Sequence, residues 1–215
     1  MTVWFTSDLH IGHKLVADHR LAERGAWDEN PTEWHDYLLG EHWDELVRAD
    51  DVIWVLGDIS AGGSKAQLNA LEWIKARPGK KHLIAGNHDS VHPMHRDAHK
   101  WMPIYLDGAF ETVQTAARRY IPLSEGRRQE VLLSHFPYDG EGDRVGKDRY
   151  TQWRLRDEGT ALLHGHVHSQ VQVTRSRLPV GGVDGLYMPA KQVHVGLDAW
   201  DLKPVSLEQI AEVLQ

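Results

Sequence analysis

The chain has 215 residues, a formal charge of −7, no cysteine and 15 histidines, with 41% hydrophobic and 26% charged residues. This composition excludes disulfides, thiolate metal ligands and a cysteine nucleophile, and no apolar run nears the roughly 20 residues that cross a bilayer. The negative balance argues against a broad basic face for duplex nucleic acid and favours small or local phosphate-bearing partners, while bound cations would reverse the sign locally.

The opening residues lack a basic stretch and read at once as a strand over 3–6, so a cleaved leader is not expected and a cytoplasmic location is. Asn30-Pro31 offers an N-cap and a first helical position, and Trp34, Tyr37, Leu38 and Leu46 predict the buried face of the helix that follows. Residues 51–56 form a second strand with the near-continuous apolar character of a sheet buried on both faces. Ser64 caps a helix over 65–75 whose Leu68, Leu71 and Ile74 point inward, and Pro78-Gly79 turns the chain into a strand at 82–85. Strand, helix, strand, helix, strand is the pattern of a parallel α/β sheet, whose ligands sit beyond the carboxyl ends of the strands. After residue 110 the reading changes to short strands at 110–115, 130–134, 161–163, 170–173 and 192–195. Helices are predicted there only at 153–158 and 206–214, the latter opening with Ser206-Leu-Glu-Gln209, a capping box. With no repeat or linker, residues 1–215 read as a single domain. Trp27, Trp34, Trp43 and Trp153 are assigned to the core rather than to base stacking.

Strand after strand ends in residues able to hold a cation: Asp8-Leu-His10, Gly57-Asp58, Gly86-Asn-His-Asp89, Ser134-His135 and Gly165-His-Val-His168. Singly, each is ordinary turn chemistry. The pair His166 and His168 is more pointed, because a period of two sends both rings to one side of an extended segment. Together the clusters lie where an α/β sheet presents its carboxyl edge, and their nitrogen and oxygen donors suit hard-to-borderline divalent cations. The glycines before Asp58, Asn87 and His166 permit a close approach that a side chain would block. His13 is set aside as structural, and His92, His95 and His99 as surface histidines. There is no Walker loop and no Gly-x-Ser-x-Gly elbow.

In this order the motifs resemble the signature of the calcineurin-like metallophosphoesterases, over most of the chain from Asp8 to His168. The ending, Val195-Gly-Leu-Asp198 through Pro204-Val-Ser206, is similar more loosely to small bacterial and phage-encoded members. The resemblance implies an α/β fold, a two-sheet β-sandwich flanked by helices in four layers. It implies one cation on Asp8, His10, Asp58 and His168 and another on Asp58, Asn87, His135 and His166, with Asp58 bridging. It also implies that His88 is a catalytic residue beside the cations and not a ligand.

Phosphate esters resist hydrolysis because neutral water is a weak nucleophile and negative charge accumulates on the transferring group. Cations about 3.5 to 4 Å apart can share a hydroxide and hold the phosphoryl oxygens during in-line attack. His88 is the candidate for protonating the leaving oxygen, and Asp89 is read either as its orienting partner or as a loop-capping residue. The donors tolerate Mn, Fe, Co, Ni or Zn, with two Mn²⁺ the expected pair. Arg144, Lys147 and Arg149, in the glycine- and charge-rich segment 138–150, are candidate substrate contacts, against the alternative of a solvated loop. The expected activity is a phosphodiesterase acting on small or nucleotide-derived diesters, cyclic nucleotides among them, with no membrane partner. A phosphomonoesterase or nuclease on the same metal site and a non-catalytic metal-binding scaffold are the alternatives.

Overall fold

Four parallel strands carry the first half of the chain: β1 (Val3–Thr6), β2 (Val52–Val55), β3 (Lys80–Ile84) and β4 (Thr112–Gln114) pair in that order. This computed structural model describes residues 1–25, 29–141, 148–177 and 189–215. Helices α1 (Lys14–Glu23), α2 (Pro31–Leu46), α3 (Ser64–Lys75) and α4 (Ala98–Leu106) lie between these strands in sequence. A second sheet pairs β5 (Ala116–Pro122), β6 (Arg128–Ser134), β7 (Ala161–His164), β9 (Lys191–His194) and β8 (Val173–Arg175) in that order. Its inner three strands are parallel and its two edges antiparallel. The short β10 (Val205–Ser206) returns to pair antiparallel with β1, and α5 (Leu207–Leu214) follows.

The period-two geometry of a strand divides the apolar residues between cores. Along β2, Ile53 and Val55 join Leu39, Trp43, Leu71 and Tyr105 under the helices. Trp54 and Leu56 turn the other way and meet Val131, Leu133, Leu163 and Val193, so the two sheets face each other across a second core that α5 enters through Ile210 and Leu214. This is the expected α/β sandwich. The outer side of the second sheet carries Leu162, covered by Tyr138, Ala190 and Leu155. None of the described helices is long and apolar enough to cross a membrane.

Several local expectations change. In α2 the buried residues are His35, Leu39, Gly40 and Trp43, whereas Trp34 and Tyr37 are 40% and 55% exposed and stack on each other. Apolar residues occur on more than one face of this helix, and the indole hydrogen bond from Trp43 to the Pro78 carbonyl fixes which face turns inward. In α3, Gly63 takes the N-cap position and Leu68 is exposed, while Gln67 is buried because its amide donates to Ser60 Oγ and the His88 carbonyl. The helix expected at 153–158 is a single 3-10 turn, Thr151–Trp153. There Arg154 leaves the helical path, its guanidinium donating to the carbonyls of Arg149 and Pro137 and to Glu141. The strand expected at 110–115 is β4 alone, after which the chain crosses to the other sheet as β5. The capping box of α5 forms, with both reciprocal bonds between Ser206 and Gln209.

Candidate metal centre

Parallel pairing brings the carboxyl ends of β1, β2 and β3 to one edge, and β6 and β7 end beside them. The chain after each strand stays tied to its neighbours: the Asp8 amide donates to the Gly57 carbonyl, His10 to Asp58, and Gly165 to His135. Glycine permits this crowding, since a Cβ on Gly57 would stand 2.6 Å from the Gly86 nitrogen and 2.6 Å from His135 Nδ1.

Two donor groups result, Asp8 with His10 and His168, and Asp58 with His135 and His166. In the first, His10 Nε2 and His168 Nε2 are 3.0 Å apart, and His168 Nε2 is 3.7 Å from Asp8 Oδ1. In the second, His135 Nε2 lies 3.4 Å from Asp58 Oδ2 and 3.1 Å from Asn87 Oδ1. Asp58 Oδ2 is also 4.0 Å from His10 Nε2, which sets this carboxylate between the groups. All seven residues therefore converge. All except His168, whose side chain is 35% exposed at the rim, are buried. Asp8, His10, Asp58, His166 and His168 have φ of 58°, 49°, 56°, 73° and 48°, in the left-handed region that non-glycine residues rarely occupy.

The electrostatics suit cations. Burial opposes ionisation of Asp8, but His194, His168, His135 and His10 outweigh it and hold the carboxyl well below its ordinary range. Asp58 is likewise depressed, with His135 overcoming the effect of burial. Burial lowers His10 to about 3 and His166 to about 4, so both imidazoles keep a free lone pair at neutral pH. Burial acts against His135 too, but the Asp58 charge raises it to about 9; a cation held by the second group would take the place of that proton. Ionised carboxylates, an amide oxygen and imidazoles in two sets joined by one aspartate fit a pair of divalent cations.

Three of the four histidines have a second ring nitrogen facing a partner that sequence reading missed, while His10 Nδ1 is buried without one among the described residues. His135 Nδ1 faces the Leu56 carbonyl at 2.7 Å, His166 Nε2 faces Glu141 Oε1 at 3.1 Å, and His168 Nδ1 faces Asp198 Oδ2 at 3.3 Å. Glu141 is gripped in turn by Arg149 and Arg154, and Asp198 by Arg20. Asp198 stood in the C-terminal motif and Glu141 in the charged loop, yet nothing local in either segment tied it to a histidine.

His88 is exposed, its ring centroid 5.6 Å from that of His10, and it enters neither donor group. Its amide donates to Asp58 Oδ1, which fixes the loop beside the centre. Asp89 does not orient His88. Fully buried, its carboxylate accepts from the amides of Gly86, Asp58 and Ile59 at 2.7, 3.0 and 3.0 Å, the loop-capping alternative. Burial, then the Asp58 charge, lifts it to about 7. His92, expected on the surface, is buried against Phe136 and Trp153. His13 stands 5.4 Å from the His10 ring, centroid to centroid.

Next to both groups is a cleft of about 530 Å³ lined by Leu15, Val16, Val167, Glu141 and Arg149 together with His166 and His168. Arg149 reaches this cleft with its Nε bonded to Glu141 and its guanidinium over the Tyr150 ring. Arg144 and Lys147 lie outside the described residues, as does Trp27.

Comparison with known proteins agrees with the geometry. The family model for calcineurin-like phosphoesterases matches residues 1–170. The Gene 66 protein of Mycobacterium phage D29 is 48% identical, over 99% of this chain and 95% of its own length. The Gene 66 protein of Mycobacterium phage L5 is 49% identical, over 98% and 93%. A crystal structure of AQ665 from Aquifex aeolicus, a protein of unknown function, aligns with a TM-score of 0.60 at 21% identity, covering 99% of this chain and 98% of that one. At that identity the likeness is one of fold.

Proposed function

This chain belongs to the calcineurin-like phosphoesterase family, and from that premise we propose that it is a phosphodiesterase hydrolysing small or nucleotide-derived diesters, cyclic nucleotides among them. The observation that carries this reading is the pair of donor groups with Asp58 between them, beside a cleft that Leu15, Val16 and Val167 line on its apolar side and Arg149 lines with a guanidinium. Asp8, His10, Asp58 and His168 would hold one divalent cation, and Asp58, Asn87, His135 and His166 the other, with Mn²⁺ the favoured species. When bound, such cations lower the pKa of water and withdraw charge from phosphoryl oxygens.

The chain's own groups do the remainder. His88, exposed beside the centre and free of ligand duty, donates a proton to the leaving oxygen. Arg149 offers the guanidinium nitrogens not used by Glu141 to a phosphate oxygen. Leu15, Val16 and Val167 give the organic part of the ester an apolar wall.

The test is a substrate panel with manganese-loaded protein: an aryl monoester, a linear diester, and 2′,3′- and 3′,5′-cyclic nucleotides. The reading expects kcat/KM for at least one diester to exceed that for the monoester by about tenfold or more. A faster monoester overturns the diester preference, and no turnover with any divalent cation returns the scaffold alternative.

A further inference from the structure

Arg20 has no exposed surface, and on the inward face of α1, beside the buried Ala17 and Leu21, it is an expensive residue to bury. Its partners explain the burial. Nε donates to Asp198 Oδ1 at 2.9 Å, and Nη2 donates to Asp198 Oδ2 at 2.7 Å and to the Asp8 carbonyl at 2.8 Å. Nη1 faces His35 Nε2 at 3.3 Å. Asp198 sits in a 3-10 turn, Leu197–Ala199, which follows β9 and is fastened to β1's end through the Ser7–Gly196 bridge. From there its Oδ2 meets His168 Nδ1 at 3.3 Å.

An imidazole with one proton offers one donor and one acceptor, and a partner on either nitrogen decides which is which. A carboxylate facing Nδ1 selects the tautomer whose lone pair is on Nε2, the atom 3.0 Å from His10 Nε2 and 3.7 Å from Asp8 Oδ1. His168 needs this control, because at the rim its ring has fewer neighbours to stop it turning. Arg20 also grips the carbonyl of Asp8, whose φ of 58° is strained. An ion pair that merely fastened α1 to the body would need neither the His168 contact nor the Asp8 carbonyl.

We propose that Asp198 and Arg20 are positioning residues for the first cation group: Asp198 fixes the ring nitrogen that His168 presents, and Arg20 fixes Asp198 and the Asp8 backbone together. This rests on the two-cation reading of the site and is independent of which phosphate ester is cleaved.

Calorimetric titration of metal-free protein with Mn²⁺, and nitrogen-15 NMR of the His168 ring in zinc-loaded protein, test it. The wild type should bind two cations and keep a proton on His168 Nδ1. In Asp198→Asn one binding event should weaken about ten- to a hundredfold while the other stays within about threefold. Arg20→Gln with Asp198→Asn removes both charges and leaves neither buried alone, so it supplies the same reading should the single variant fail to fold. Two unchanged events in a folded variant, equal weakening of both, or a wild-type His168 carrying its proton on Nε2 would each overturn the proposal. A wild type that binds fewer than two cations would instead overturn the site reading, and this inference with it.

Discussion

Gly165→Ala adds one carbon at the most crowded glycine among the described residues. That Cβ would lie 1.9 Å from Ser7 Oγ, 2.7 Å from Asp8 Oδ2 and 2.8 Å from Ser7 Cβ. The first contact is about 1.5 Å short of ordinary van der Waals separation, and Ser7 has no slack, since its hydroxyl is buried and donates to the Leu56 carbonyl at 2.6 Å. Overpacking of this kind costs about 1–3 kcal/mol, and losing the Ser7 hydrogen bond about 1 kcal/mol more. At about 2–4 °C per kcal/mol for a chain of this length, the melting temperature of the metal-free protein should fall by roughly 4 to 16 °C. The Asp8 carboxylate, which also accepts from the His166 amide at 3.0 Å, must shift as well, so cation binding should weaken. Scanning calorimetry of the metal-free variant and manganese titration measure the two effects. Adding Ser7→Gly removes two of the three clashes and should restore most of the stability, while the contact with Asp8 keeps binding weak. A single variant melting within about 2 °C of the parent, with binding intact, would refute the packing argument.

Other perturbations separate the roles assigned above. Asp58→Ala should lose bound metal together with turnover, whereas His88→Ala should keep its metal and lose about 10²–10⁴ in kcat; equal metal loss in both would make His88 a ligand. Asp89→Ala strands three buried amides and should destabilise the protein by about 3 kcal/mol or more in urea unfolding, while a change confined to kcat would restore the orienting role. Arg149→Ala should raise KM more than it lowers kcat in initial-rate kinetics, and unchanged kinetics would retire it as a substrate contact. Asp51 is held below the ordinary carboxylate range by the Thr2 amide first, then by Arg48 and Trp4. Its contribution is therefore complete above its unfolded pKa near 3.9 and is lost as pH falls through the lower folded value. Asp51→Asn should accordingly start less stable at neutral pH and decline less steeply below about pH 4 in calorimetry, and parallel curves would contradict this.

The seven residues that converge were legible because each sits where an apolar strand meets a turn, three of them behind a glycine, and local pattern reports both facts. The capping box at Ser206 was legible for the same reason, since its two partners are three residues apart. What escaped is what tertiary contact decides. Arg20 and Asp198 are separated by 178 positions, and neither segment alone reveals the other. The buried face of α2 was misread because Trp34 and Tyr37 supply a plausible stripe that the fold leaves stacked in solvent. The polar run of β5, with Arg118 and Arg119, shows no apolar alternation because it forms an edge of its sheet. Asp89 was ambiguous because its role is set by three amides, two of them 30 and 31 positions away.

The left-handed backbone of His10, His166 and His168 has a consequence for how this protein would evolve in the laboratory. Each such residue costs on the order of 1 kcal/mol relative to glycine, in a molecule whose whole margin is about 5–15 kcal/mol. Replacing any of them by glycine would relax the chain, so a library screened for heat resistance alone should enrich glycine at these three positions. Enzymes recovered that way would be sturdier and inert, which makes selection on turnover after heating the only safe screen.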